Sequence, residues 1–326
     1  MNNLNPKVSV IITTYNRAEI LSRRSLPSVL SQTYSNFEFI IVDDCSVDKT
    51  EEVIKEMNLK GAGIIYVKVN ENGGLSKARN LGAKKAKGKY VVFVDDDNEL
   101  FPNFLKYTVA KLDGLSNEYG AVCCGRMVYD GVIEAYSSPF SGGSFYSSID
   151  WGWLIRRDVF DKISYDERLS GDDDTDFGIQ FFSYYKSFPV DAPLQRAYSF
   201  YENNKYGDSH VMAPTRKRSI YLGAFIEKNL ATFIQKSDKR ELSSIYRFAG
   251  WNYILIGEKS KGIKLLKKAY NELPNLRNLL HLLVSYCGKN LYQLLLSLEN
   301  RFSMIIRSKY SSKYKRYFKD IPAIKK

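Results

Sequence analysis

The sequence predicts an α/β catalytic region followed by a mostly helical extension. Short apolar, β-branched runs recur near the start, and each ends in polar or acidic residues. Helix-like segments separate those runs, which is the pattern of a parallel sheet covered on both faces. From about Arg216 onward, helical periodicity takes over and the charge changes sign.

Taken in order, Val8–Thr14 (VSVIITT) predicts a buried strand, and Ala18–Gln32 predicts a helix. Glu38–Val42 predicts a second strand that ends at Asp43 and Asp44. Asp48, with Glu51 three residues later, has the form of an N-cap opening a helix to Met57. Ile64–Val67 reads as a third strand, Gly74–Ala86 as a helix and Tyr90–Val94 as a fourth strand. Gly120–Tyr129 reads as a further strand and Ser137–Ser148 as a loop. Arg157–Ile163 and Asp174–Lys186 read as helices. Ala249–Pro274 resembles a single tetratricopeptide-type helical hairpin, and one copy does not make a solenoid. Leu276, Leu279, Leu280, Leu283 and Val284 share one helical face; Leu291, Leu295, Leu298, Phe302 and Ile305 share another.

The 326 residues, 44% of them hydrophobic, suffice for one large core with an appended unit. Residues 1–215 hold 24 Lys and Arg against 29 Asp and Glu, a net charge of −5. Residues 216–326 carry the remaining 24 against 7, a net +17. This divides the chain into a slightly acidic catalytic region, 1–215, and a basic extension, 216–326, suited to an anionic partner. The four cysteines form no CxxC pair, which disfavours a zinc site, and the cytoplasm is the simplest compartment. The Leu-rich stretch 279–298 is interrupted by Lys289, Asn290 and Gln293 and is not expected to span a membrane.

Ligands of open α/β sheets bind at the carboxyl ends of the strands. Here those ends carry Thr14, Tyr15 and Asn16; Asp43 and Asp44; and Asp95, Asp96 and Asp97. Three carboxylates after a buried strand repel one another unless a cation sits among them. Mg²⁺ or Mn²⁺ suits such oxygen ligands and completes its shell with substrate phosphates; the alternative is a solvated acidic turn or a helix N-cap. Arg79 follows the Gly73-Gly74 turn on the first turns of a helix, within reach of a phosphate or of those aspartates. Asp172, Asp173, Asp174 and Asp176 open a helix, where they either serve its dipole or supply a general base. His210 is either a metal ligand or a loop histidine. No Walker or Rossmann glycine fingerprint is present, so neither an ATPase nor a dehydrogenase is indicated.

Five segments in order, VSVIITTYNR (8–17), QTYSNFEFIIVDDCSVDKT (32–50), NGGLSKARNLG (72–82), YVVFVDDDN (90–98) and WLIRRDVFDKISYDERLSGDDDTDFGIQ (153–180), resemble the family 2 nucleotide-sugar glycosyltransferases. The resemblance spans about residues 6–215 and implies the GT-A fold. It implies that Thr14 and Tyr15, beside Asn16, flank the nucleotide base, that Asp44 hydrogen-bonds it, and that Arg79 holds the diphosphate end of the donor. Asp95, Asp96 and Asp97 match the DXD motif, with Asp96 and Asp97 at its metal-binding end. Asp174 matches the catalytic base, and Asp173 stands where the family commonly has Glu. Trp151 and Trp153 fall where acceptor contacts are expected.

The resemblance further implies an inverting, non-processive transferase, because neither membrane helices nor a QxxRW-type motif is present. A UDP-sugar is the favoured donor, and a saccharide or lipid-linked saccharide of bacterial surface-polysaccharide synthesis the acceptor. The basic extension then has three possible partners: the anionic inner face of the cell membrane, a second chain, or the catalytic region. Nucleic acid is not expected. A polyprenyl-phosphate glycosyl synthase and a non-catalytic sugar-nucleotide binding protein are the alternatives.

Overall fold

The structure is a computed structural model and describes residues 5–129, 134–139, 152–169, 173–198, 239–255, 257–288 and 290–299. In chain order its elements begin β1 (Val8–Thr14), α1 (Ala18–Arg23), α2 (Ser25–Leu30), β2 (Phe37–Asp43), α3 (Thr50–Leu59), β3 (Ile64–Lys68), α4 (Leu75–Lys85) and β4 (Tyr90–Asp95). There follow β5 (Glu99–Leu100), α5 (Phe104–Asp113), β6 (Tyr119–Tyr129), β7 (Glu134–Ser137), β8 (Leu154–Arg156), a 3₁₀ turn at Arg157–Asp161, α6 (Asp173–Tyr184) and β9 (Lys186–Tyr198). The extension contains α7 (Lys239–Leu255), α8 (Lys259–Glu272), α9 (Leu276–Cys287) and a helix over 290–299, α10.

The nine strands among the described residues form one mixed sheet in the order β3-β2-β1-β4-β8-β6-β9-β5, with β7 on β6. The strands β1 to β4 run parallel, and β8 is antiparallel to β4. Successive residues of the parallel strands point to opposite faces, and both faces are dry. Val8, Val10, Ile12, Ile41 and Val92 enter the core under α2 and α5. Ile11, Ile40, Val42, Val91 and Phe93 enter the one containing Ala78, Phe177 and Phe181. Each such side chain contributes about 1.5–3 kcal/mol by leaving water, so the strand ends have a rigid base. This Rossmann-like sheet between helical layers is the GT-A architecture that the resemblance implies.

The expected helix over 18–32 is two short helices. Pro27 has no N–H to continue a ladder across the junction, and the chain breaks at Arg24, with φ −115° and ψ −79°. The strand β9 was not expected. It pairs with β6 along its length and, through Glu99 and Leu100, with β5. The buried guanidinium of Arg196 on β9 ties this part together, donating to Glu99 at 2.9 Å and to Glu134 at 2.7 Å.

In the extension, Leu242, Tyr246 and Ala269 pack with Leu169 and Ile179 of the catalytic region. The hairpin expected over 249–274 is present and begins earlier, at Lys239. Its helices cross at two glycines: a Cβ on Gly262 would lie 2.7 Å from the Gly250 carbonyl oxygen. Much of the expected apolar face of α9 points outward: Leu276, Leu280 and Leu283 are exposed, as are Leu291, Leu294 and Leu298 of α10, while Leu279 and Val284 are half-buried. The buried stripe is polar instead, formed by Asn278, His281 and Ser285. Asn278 donates to Ser243 and to the Leu273 carbonyl, and accepts from Arg247. The two ring nitrogens of His281 meet the Tyr292 hydroxyl at 2.6 Å and Glu299 at 3.1 Å. Among the described residues no helix is long and apolar enough to cross a membrane.

Candidate active site

The strand order reverses between β1 and β4, since the chain steps from β1 outward to β2 and β3 and then returns through α4, packed over β1 and β2, to β4 on the other side of β1. The carboxyl ends of β1 and β4 therefore flank the crevice where such sheets bind ligands. Thr14 stands on one side and Asp95 to Asp97 on the other. The Thr14 hydroxyl donates to one Asp96 oxygen at 2.8 Å. Arg17, just beyond β1, spans the gap. One terminal nitrogen lies 2.7 Å from the other Asp96 oxygen, and its second lies 2.7 Å from Asp97. Backbone carbonyls of the acidic turn are also held, that of Asp96 by Ser25 and that of Asp97 by Arg24.

Burial pushes the Asp96 carboxyl up, to about 7, and Asp97 and Asp95 add to the rise while Arg17 and Thr14 pull it down. Arg17 is also desolvated, yet Asp96, Asp97 and Asp95 outweigh that loss and hold it above the usual arginine value. The 2.7 Å contacts favour the ionised pair; the rise in Asp96 marks how unfavourable a lone carboxylate would be in this crevice.

A second buried pair joins the strand end to α6. Arg79 of α4 donates to Asp173 at 3.0 Å and to Asp95 at 3.1 Å. Its side chain is 4% exposed and lies 5.3 Å from the Tyr165 ring. Burial lowers its tendency to stay charged, but Asp173, Tyr165, Asp95 and Asp174 together raise it. Asp173 is therefore held by this guanidinium, whereas Asp174, one residue on, is half-buried and accepts from the Thr175 amide.

Asp44 sits beneath the loop that opens α4. Its two carboxylate oxygens accept the Gly73 and Gly74 amides at 2.8 and 2.7 Å. Gly74 has φ +86°, a conformation that glycine adopts without a Cβ clash. Asn16, at φ +53°, clasps the loop after β2: its amide donates to Ser46, and its side-chain oxygen accepts from Val47. Tyr15 beside it is 44% exposed. Thr14, Asp95, Asp96, Asp97, Arg79 and Asp173 thus form one connected polar cluster, while Asp44 and Asn16 fasten the neighbouring loops.

Trp153, expected at acceptor contacts, lies at the edge of the α6 core. It is 6% exposed and packs in the core, edge-on to Phe182, so it presents little surface to an acceptor. Trp151 and His210 lie outside the described residues. Arg17 is a site residue that the sequence analysis did not include. The signal was a basic residue three positions past a strand end that faces an acidic triplet.

Among the described residues no three His, Cys, Asp or Glu side chains converge as a self-sufficient metal cage. The Asp96 and Asp97 carboxylates nevertheless converge on one cation, the Arg17 guanidinium. Two hard carboxylate ligands, with the rest of the shell from water and phosphate, suit Mg²⁺ or Mn²⁺.

A family model for Glycosyl transferase family 2 matches residues 9–186, more than half of the chain. The putative colanic acid biosynthesis glycosyl transferase WcaA of Escherichia coli K12 is 28% identical over 262 residues, which cover 74% of this chain and 88% of that protein. The Escherichia coli UDP-Glc:alpha-D-GlcNAc-diphosphoundecaprenol beta-1,3-glucosyltransferase WfaP is 43% identical over 91 residues, 28% of this chain and 35% of its own length. The mannosyltransferase PcManGT of Pyrobaculum calidifontis, solved with GDP-Man and Mn2+, matches with a TM-score of 0.57 and 15% identity, covering 96% of this chain and 88% of its own. At that identity the likeness speaks to the fold alone.

Proposed function

The chain belongs to glycosyl transferase family 2, and on that premise we propose that it moves a sugar from a nucleoside-diphosphate sugar, a UDP-sugar by preference, to a hydroxyl of a saccharide or lipid-linked saccharide, with inversion and with Mn²⁺ or Mg²⁺. The observation that carries this reading is the convergence of Asp96 and Asp97 on one cationic position at the crevice, bridged to α6 through Arg79. A divalent cation there would offset charge growing on the departing diphosphate. Thr14 and Arg79 keep Asp96 and Asp95 oriented, and Arg79 also fixes Asp173. Asp174 takes the proton of the acceptor hydroxyl as its oxygen bonds to the anomeric carbon and the bond to the diphosphate breaks. The WcaA and WfaP relatives support polysaccharide and lipid-linked acceptors, and the two carboxylates at the crevice support the metal.

Thermal shift against a panel of nucleotide sugars with Mn²⁺ identifies the donor, because a ligand of the folded state raises the melting point. Sugar transfer should then fall on adding EDTA and in Asp97→Asn. Transfer untouched by both would remove the metal from this assignment.

The extension is assigned to an anionic membrane surface at the cytoplasmic face. The outward leucines of α9 and α10, within a region of net charge +17, support this. The full chain should cosediment with anionic liposomes and be released by salt. Equal binding to neutral liposomes would count against the electrostatic part; no binding to either kind would leave the leucine face to a second chain.

A further inference from the structure

Arg17 occupies the position that the proposed function gives to a cation. Its terminal nitrogens each lie 2.7 Å from a carboxylate, one on Asp96 and one on Asp97, while its buried Nε has no hydrogen-bond partner. The guanidinium is therefore held by the two acids and by no third group on that nitrogen. Its side chain is 24% exposed, in contrast to 4% for Arg79, so it has a path out of the crevice that Arg79 lacks. The Asp96 side chain and the backbone of the acidic turn have other holds. Thr14 holds the second Asp96 oxygen, and Ser25 and Arg24 hold the carbonyls of the acidic turn.

We propose that Arg17 is an exchanging counter-ion: it neutralises Asp96 and Asp97 in the donor-free protein, yields them to the divalent cation, and turns its guanidinium onto the diphosphate of the arriving donor. This rests on the reading that Asp96 and Asp97 hold a divalent cation. The charge argument is direct. Two carboxylates with Arg17 sum to −1, and a divalent ion replacing the guanidinium brings the pair to neutrality. The freed guanidinium then meets a ligand whose paired oxygens match its fork. Cation and diphosphate each remove an obstacle to the other, so the two bind cooperatively, and by linkage the coupling factor is the same from either side.

The test is calorimetric titration of the full chain with Mn²⁺ alone, UDP alone, and UDP in the presence of Mn²⁺, for the wild type, Arg17→Met and Arg17→Lys. Removing the competitor should tighten Mn²⁺ binding to donor-free Arg17→Met by about tenfold and shrink the Mn²⁺–UDP coupling by a similar factor, a common size for coupling between sites. Arg17→Lys should fall between, since an ammonium neutralises the acids but cannot fork onto phosphate. Mn²⁺ binding that Asp97→Asn abolishes but Arg17→Met leaves unchanged or weakens would overturn the exchange while leaving the metal site standing. Absence of Mn²⁺ binding in every variant, with or without UDP, would overturn both.

Discussion

The catalytic region and the helical extension bury polar groups in opposite ways. In the first, net charge −5, charged groups lie buried or half-buried as ion pairs beside uncharged ones such as Ser9, Ser25 and Gln195: Arg79 with Asp95 and Asp173, Arg17 with Asp96 and Asp97, Arg196 with Glu99 and Glu134. In the second, net charge +17, the deepest polar groups are largely uncharged: Ser243, Asn252, Asn278, His281 and Ser285. A pair of buried ions is a weak way to stabilise a fold, because desolvation consumes most of the attraction. It is a strong way to hold charge at a chosen point, which a site for phosphates and proton transfer requires. In the described part of the extension every Lys and Arg but the half-buried Arg247 is exposed.

The largest test of the contrast is Arg196→Met. It strands two buried carboxylates and should destabilise the catalytic region by about 3–5 kcal/mol in denaturant unfolding. Adding Glu99→Gln and Glu134→Gln should recover part of that loss; a single variant as stable as the wild type would show that these ions are not truly desolvated. Next in size, Asp174→Asn should lower kcat by about 10²-fold with donor binding near normal. If Asp173→Asn were the damaging change to chemistry and Asp174→Asn mild, the base would lie one residue earlier. Loss of the Arg79 partner is expected to show in stability as well.

In the extension, Gly262→Ala pushes a methyl against the Gly250 carbonyl and should cost about 1–3 kcal/mol of overpacking strain. Transfer to a soluble acceptor should persist if the two regions work separately. The smallest effect concerns pH. Burial lowers the His281 value, with Arg247 and Arg277 in the same direction and Glu299 opposing. The native extension then binds fewer protons at this group than the unfolded chain does, so His281 stabilises it above its ordinary value of 6.5 and loses that contribution as pH falls through the folded value. Glu299 is held below the usual carboxylate range: burial opposes the shift, but Arg277 and His281 outweigh it, and its contribution likewise declines on acidification. The protection factors of α9 amides, corrected for the slower intrinsic exchange at low pH, should fall between about pH 7.5 and 5.5, and His281→Gln should flatten that dependence.

Much of the catalytic region was legible because β-branched runs such as VSVIITT and YVVFVD can bury both faces only as inner parallel strands. The strand β9 was not, because Pro189 and Pro193 and its scattered charges hide a strand whose partner, β6, shifts register beside it. Periodicity on α9 located an apolar face but could not say what covers it, and the packed face proved to be the polar one. At the site, the acids were legible by type and position. Their partners were not: Arg17 and Thr14 are 79 and 82 residues from Asp96 in sequence, and only strand order brings them together.

Arg79 has a further consequence. One planar group touches the strand that ends in the acidic triplet and the helix that begins with Asp173 and Asp174. On the proposed function it works as a gauge block, setting the separation between the place where a leaving group departs and the place where a proton is collected. In-line displacement tolerates little error in that separation, since about 1 Å can cost 10²-fold in rate. Lysine would restore the charge but not the width, so Arg79→Lys should remain slow however much metal or donor is supplied.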